Sequence, residues 1–137
     1  GWVAWFTIAA LLERPITIYG NGKQVRDLLH SDDLIDAFLI ADKKRQKSVG
    51  KVYNVGGGYK NSLSLLQFLE MLEKELGRKI PRKFDEIRPG DQPIYISDNS
   101  LIKKELGWEP EISAKKGLKQ LVEWVGENQE EIKQVLG

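Results

Sequence analysis

The chain has 137 residues, 41% hydrophobic and 30% charged, with 21 lysines and arginines against 20 acids for a formal charge of +1. That length suffices for one hydrophobic core, and the even balance provides no global field for nucleic acid or an anionic membrane, so any anion site must be local. The absence of cysteine excludes disulfides and thiolate zinc sites and fits a reducing cytoplasm, while a single histidine argues against a metal cluster or a catalytic triad.

The chain opens on "GWVAWFTIAALLERP", apolar from its first residues, without an initiating Met or an N-cap. It lacks the basic stretch and cleavage site of a signal peptide and is too short to span a membrane. A helix is expected to about Leu12, stopping ahead of Pro15, because a residue before proline is pushed out of the α region. A helix apolar nearly all round belongs inside something. The expectation is that the chain was cut from a larger protein, with Trp2, Trp5 and Phe6 packed partly against the missing part. The alternative is a core helix of a self-sufficient domain. Bare apolar surface of this kind also predicts some self-association.

"PITIYG" reads as a short β-branched strand ended by glycine, "GNGK" as a turn, and "VRDLLH" as a second extended run. "HSDDLIDAFLIADKK" is an amphipathic helix that Ser31 or Asp32 can cap, with Leu34, Ala37, Phe38 and Ala41 as its apolar stripe. "KVYNV" is read as a strand running into Gly56-Gly57-Gly58. "SLSLLQFLEMLEKELG" is a helix with serine caps and Gly77 as its stop. "PRKFDEI" is a short strand, "RPGDQP" a loop and "DNSLIKKELGW" a short helix. The last helix places Leu118, Leu121, Val122 and Val125 on one face, with a possible interruption at Gly126; Trp108 and Trp124 are expected in the core. There is no repeat, low-complexity tract or linker, and residues 1–137 read as one mixed α/β domain.

Three features invite a functional reading. Tyr19 and Lys23 have the Y-x-x-x-K spacing of a catalytic pair, but that chemistry needs both on one helix face, and Gly20, Asn21 and Gly22 between them make a turn. The triple glycine has a dinucleotide loop's setting between a strand and a helix, but G-x-G-x-x-G would need glycine where Asn61 stands. It reads better as a glycine turn leading into a helix N-terminus. Arg26, beside one glycine turn, and Arg88, in "RPGD", are stronger candidates, since guanidinium forks bind phosphate oxygens bidentately. The alternative is that each pairs with a nearby carboxylate such as Asp27 or Asp91. His30 and the following acids read as a helix start, and the paired lysines as solvated faces.

Taken in order, "PITIYGNGKQVRDLLHSDDLIDAF", "KVYNVGGGYKNSLSLLQFLEMLEKELG" and "RPGDQPIYISDNSLIKKELGWEPEISAKKGLKQLVEWV" resemble the extended short-chain dehydrogenase/reductases that act on nucleotide sugars. Within that family, "GWVAWF", "GKQVRD" and "RPGDQ…YISD" look most like CDP-sugar 2-epimerases. The resemblance implies the C-terminal, mixed α/β substrate-binding portion of an extended SDR fold, with the N-terminal Rossmann half absent. It implies NAD as cofactor of the parent enzyme, bound by a loop outside this chain. The helical Tyr-x-x-x-Lys that moves protons would lie there too, leaving no catalytic residue here and an inactive fragment.

By the same resemblance, the stretch Thr17, Ile18 and Tyr19 lies along the nucleotide's base and ribose. Arg26 and Arg88 hold the diphosphate, and Asn61 and Asp91 contact the nucleotide. The partners implied are a nucleotide-diphosphate sugar, carrying CDP or UDP, and the parent's Rossmann domain. Dehydratases or reductases of the same family, and a stand-alone nucleotide-binding module, remain alternative readings.

Overall fold

A computed structural model of the chain describes residues 1–136. Short strands are interspersed among the helices: α1 (Trp2–Leu11), β1 (Ile16–Tyr19), β2 (Val25–Asp27), α2 (Ser31–Lys43), α3 (Arg45–Ser48), β3 (Ser62–Ser64), α4 (Leu65–Leu76), β4 (Arg82–Asp85), β5 (Ile94–Tyr95), α5 (Ser100–Leu106), α6 (Ala114–Glu127) and α7 (Gln129–Leu136). They fall into two compact units. One takes residues 1–24, 64–93 and the chain from 115 onward; the other takes 25–63 and 94–114.

In the first unit β1 pairs in parallel with β4, from Ile16 opposite Arg82 to Tyr19 opposite Asp85. Alternation along β1 buries Ile16 and Ile18 and leaves Thr17 and Tyr19 partly exposed on the other face. Helix α4 begins with a capping box in which Ser64 and Gln67 satisfy each other's backbone amides, and it ends at Gly77 in the left-handed region. Its buried face carries Leu65, Phe68, Leu69 and Leu72. Trp2 of α1 meets Phe68 edge-on, with ring centroids 5.0 Å apart. The Glu73 carboxylate is buried and accepts from the Ile80 amide (3.1 Å), Lys79 Nζ (2.9 Å) and Arg82 Nη2 (3.0 Å), pinning the link from α4 to β4.

In the second unit β2 lies between β3 and β5, parallel to β5 with Arg26 opposite Tyr95. Its core gathers Ala37, Ile102, Leu106 and Trp108, with Leu29, Ile40, Tyr53 and Val55 packed against them. The Trp108 indole donates to the Asp33 carbonyl (3.0 Å), and the Asp33 carboxylate accepts from the amides of Glu111 and Ile112, both at 3.0 Å. Only 3% of Asp33 is exposed. Those amides belong to irregular backbone that has no ladder to satisfy it.

Several sequence expectations need correction. "KVYNV" forms no strand. An extended run becomes a strand only when a neighbour completes its ladder, and this one has none among the described residues. Its side chains hold it instead, with Lys51 and Tyr53 both reaching the Glu105 carboxylate (2.8 and 2.7 Å). His30, not Ser31 or Asp32, caps α2, accepting from the Asp32 amide through Nδ1 (3.2 Å). The buried face of α2 is centred on Ala37 and Asp33, so Leu34 and Phe38 of the expected stripe are exposed, Phe38 by 67%. Trp124 is 54% exposed and so is not core, whereas Trp108 is. Helix α6 runs through Gly126 and breaks at Asn128, whose side chain donates back to the Trp124 carbonyl (2.8 Å).

The Ile80 amide, followed by the Lys79 ammonium, holds the Glu73 carboxyl below the usual carboxylate range. A lowered folded-state pKa gives stability that is present at neutral pH and lost as pH falls through that value. Urea unfolding between pH 7 and pH 3 should therefore show Glu73→Gln less stable than the parent chain at pH 7, with the gap closing toward pH 3. Parallel stability curves would contradict the assignment.

Candidate functional site

Candidate ligand-contacting residues collect in each unit. In the first, the β1 strand ends at Tyr19 and the chain turns through Gly20 and Gly22, with φ of 79° and 73°. A Cβ at Gly22 would also lie 2.9 Å from the Leu66 side chain, so both backbone and space favour glycine there. The Asn21 carboxamide accepts from the Lys23 amide (2.9 Å) across this turn. Tyr19 and Lys23 therefore flank a turn and share no helix face, and their spacing has no catalytic meaning.

Beyond the turn, Gln24 Nε2 donates to the Tyr19 carbonyl (2.9 Å) and to Asp91 Oδ2 (3.1 Å). The Asp91 amide donates to the Arg88 carbonyl (3.1 Å). The Arg88 guanidinium lies 3.8 Å above the centroid of the Tyr19 ring. Three residues expected at the site, Tyr19, Arg88 and Asp91, are thus brought together, with Thr17 two positions back on the exposed face of the same strand. Ile18 is fully buried, so its side chain belongs to the core. Gln24 was missed in the sequence. A carboxamide straight after a glycine turn was visible there, but nothing in the pattern says what it reaches.

In the second unit Arg26 lies on the central strand β2, with Nη1 donating to the Val25 carbonyl (2.8 Å). Asp27 follows it, and its Oδ2 accepts from the amides of Gly58 (2.9 Å) and Ser97 (3.1 Å). The Gly56 amide donates to Asn99 Oδ1 (3.0 Å), and Asn99 Nδ2 returns a bond to the Gly56 carbonyl (2.8 Å). A Cβ at Gly56 would strike Ser97 and Asp27, and one at Gly57 would strike the Leu28 backbone. These glycines make room for the chain's own packing. No phosphate cradle is left open, and the residues present do not fit a dinucleotide loop.

Asn61 is buried, and all its polar groups are engaged within the chain. Its side chain donates to the Ile112 carbonyl (3.2 Å) and accepts from the Ala114 amide (3.0 Å), while its backbone bonds Gly58 and Leu28. A cleft of about 580 Å³ beside it is lined by residues that include Lys60, Asp98, Lys103 and Glu109. Two of its charged groups have partners within the cleft. Lys103 pairs with Glu109, and the Ser100 side chain and amide hold the Asp98 carboxyl below its ordinary value. Among the described residues no group of three or more acidic or histidine side chains could hold a metal, and no helix is long and apolar enough to cross a membrane.

The fold defines a class. The sequence model of the family described as GDP-mannose 4,6 dehydratase matches residues 4–121, and the chain belongs to that family. It corresponds to the C-terminal, mixed α/β part of extended short-chain dehydrogenase/reductases that epimerise or dehydrate nucleotide sugars. It is 37% identical over 131 residues to CDP-paratose 2-epimerase of Salmonella typhi, matching 90% of this chain and 38% of that protein. To UDP-glucuronate 4-epimerase of Thermodesulfobacterium geofontis it is 40% identical over 124 residues, 90% of this chain and 37% of the relative. Among solved structures, UDP-glucose 4-epimerase of Thermotoga maritima with UDP-glucose superposes with a TM-score of 0.84 at 32% identity, covering 94% of this chain and 40% of that one. UDP-glucuronic acid 4-epimerase of Bacillus cereus, in complex with UDP-glucuronic acid and NAD, gives 0.81 at 29% identity, covering 88% and 38%. The chain thus spans about two fifths of the length of the relatives it matches.

Replacing Asp27 with Ala strands two amides in the second unit and should destabilise the chain by about 2–3 kcal/mol. Asp27→Asn retains an acceptor oxygen and should recover most of the loss. Chemical unfolding of both variants checks this, and equal losses would contradict the amide-acceptor role.

Proposed function

We propose that residues 1–137 are the C-terminal substrate-binding part of an NAD-dependent nucleotide-sugar epimerase, and that they clamp the nucleotide diphosphate so that the sugar is positioned for chemistry performed elsewhere in the longer protein. The observation that carries this reading is the cluster at the end of β1. There Arg88 lies over Tyr19 in a loop tied back by Gln24 and Asp91, in a chain whose relatives include nucleotide-sugar epimerases and dehydratases.

In this reading Arg26 and Arg88 hold diphosphate oxygens through bidentate hydrogen bonds. Thr17 and Tyr19 lie along base and ribose, Asp91 contacts the nucleotide, Ile18 acts by fixing the strand, and Asn61 by holding its turn. Binding energy collected at the nucleotide, remote from the reacting carbon, orients the sugar. NAD would be bound by an N-terminal Rossmann part, consistent with the NAD in the Bacillus cereus relative and with glycines here that are filled by their own chain. This chain would be inactive alone. The exposed Leu34, Ile35, Phe38 and Leu39 of α2 suit that Rossmann part as partner, and self-association without it. A cysteine-free composition fits a cytoplasmic setting.

The substrate favoured is a CDP-sugar epimerised at C2, on the strength of the "GWVAWF", "GKQVRD" and "RPGDQ" motifs and the likeness to CDP-paratose 2-epimerase. A second reading, the same part of a dehydratase, is supported by 36% identity to dTDP-glucose 4,6-dehydratase of Haemophilus influenzae. Calorimetric titration with CDP, UDP and dTDP separates them, with CDP expected to bind tightest. Arg26→Ala and Arg88→Ala should each lose about 2–3 kcal/mol, roughly 30- to 150-fold in Kd. Preference for dTDP would favour the dehydratase reading, and no binding by a folded chain would count against the clamp.

A further inference from the structure

We infer that Gln24 is a positioning residue for nucleotide binding, whose single amide group holds the Arg88–Asp91 loop at the height that places the Arg88 guanidinium on the Tyr19 ring. The inference rests on the nucleotide-clamp reading above and assigns a role to a residue outside that set.

The geometry is specific. Both partners of Gln24 Nε2, the Tyr19 carbonyl at 2.9 Å and Asp91 Oδ2 at 3.1 Å, are acceptors, so both N–H bonds of the amide are committed. One anchors to the backbone of the residue whose ring carries the guanidinium. The other anchors to the carboxylate three residues past Arg88, and the Asp91 amide closes that turn onto the Arg88 carbonyl (3.1 Å). The incoming side of the loop is held independently, by the Gly20 amide on the Asp85 carbonyl (2.9 Å) and by Ile87 set against Gly20. Gln24 therefore bonds the outgoing side. Between the two anchors the loop turns through Pro89 and Gly90, the latter at φ 81°, and it projects a side chain with many rotamers. Stacking on Tyr19 confines that side chain only while ring and loop keep their spacing. Two bonds from one amide fix that spacing, and a guanidinium ordered in advance loses less freedom when it meets phosphate.

Gln24→Met keeps the stem and removes both donors. Gln24→Asn keeps the donors but is one methylene too short to meet both acceptors, and serves if the first variant folds poorly. The probes are the nucleoside diphosphate bound most tightly by the unsubstituted chain and its parent nucleoside, titrated calorimetrically. Proton NMR of the Arg88 methylenes reads the ring current of Tyr19. The expected result is loss of the upfield shift, roughly tenfold weaker diphosphate binding and unchanged nucleoside binding. Adding Gln24→Met to Arg88→Ala should bring no further loss, because the amide acts through the arginine.

Intact diphosphate affinity, an unmoved ring-current shift, or equal losses for nucleoside and diphosphate would each overturn the inference while leaving the nucleotide reading in place. Failure of the unsubstituted chain to bind any of CDP, UDP and dTDP would overturn that reading, and this inference with it.

Discussion

Irregular backbone needs acceptors for its buried amides, and among the described residues three carboxylates supply several of them. The sheets have only two and three strands, so much of the chain cannot satisfy itself by ladders. Asp27 takes the amides of Gly58 and Ser97, Asp33 those of Glu111 and Ile112, and Glu73 that of Ile80. Each carboxylate sits on or beside a regular element; Asp27 and Asp33 reach segments distant in sequence, and Glu73 the turn that follows its own helix. Within each unit these bonds set where the loops stand. A charged acceptor on a neutral donor is among the stronger hydrogen bonds available, and the cost of removing it includes the stranded amide.

The candidate site inherits that arrangement. Arg26 immediately precedes Asp27, so the bonds that fix the glycine turn also fix the strand presenting this arginine. Arg88 has no strand of its own and depends on a loop tethered at both ends. The two arginines are therefore presented differently, one by a central strand and one by a strapped loop stacked on tyrosine.

Helices were the most legible part of the sequence, because their boundaries are written in local chemistry. Pro15 after α1, Ser64 before α4 and Gly77 in the left-handed region all stand where expected. The strand at "KVYNV" was read from composition, which records only fitness for a pleated surface and not the presence of a neighbour. The stripe of α2 failed for a related reason: Leu34 and Phe38 share a helix face with Ala37, but the buried side is set by Trp108 and Asp33, a contact across 75 positions. Trp124 was placed in the core for its position on the last helix's apolar stripe, but the buried line of that helix runs through Leu118 and Val125 and leaves the indole 54% exposed.

At the site, residue types carried more than spacing did. Turn composition was enough to dismiss Tyr19 and Lys23 as a catalytic pair, and an asparagine at position 61 was enough to dismiss the dinucleotide loop. The reach of Gln24 to Asp91, 67 positions away, depends on how the loop folds back and could not be read from pattern.

The central claim, that this chain clamps a nucleotide diphosphate through the end of β1 and the Arg88 loop, is tested most directly by amide NMR of the isotopically labelled chain during titration with CDP. Saturable shifts concentrated at residues 17–26 and 86–91 are expected. Shifts confined to the cleft beside Asn61, or none at saturating CDP with the fold intact, would contradict it.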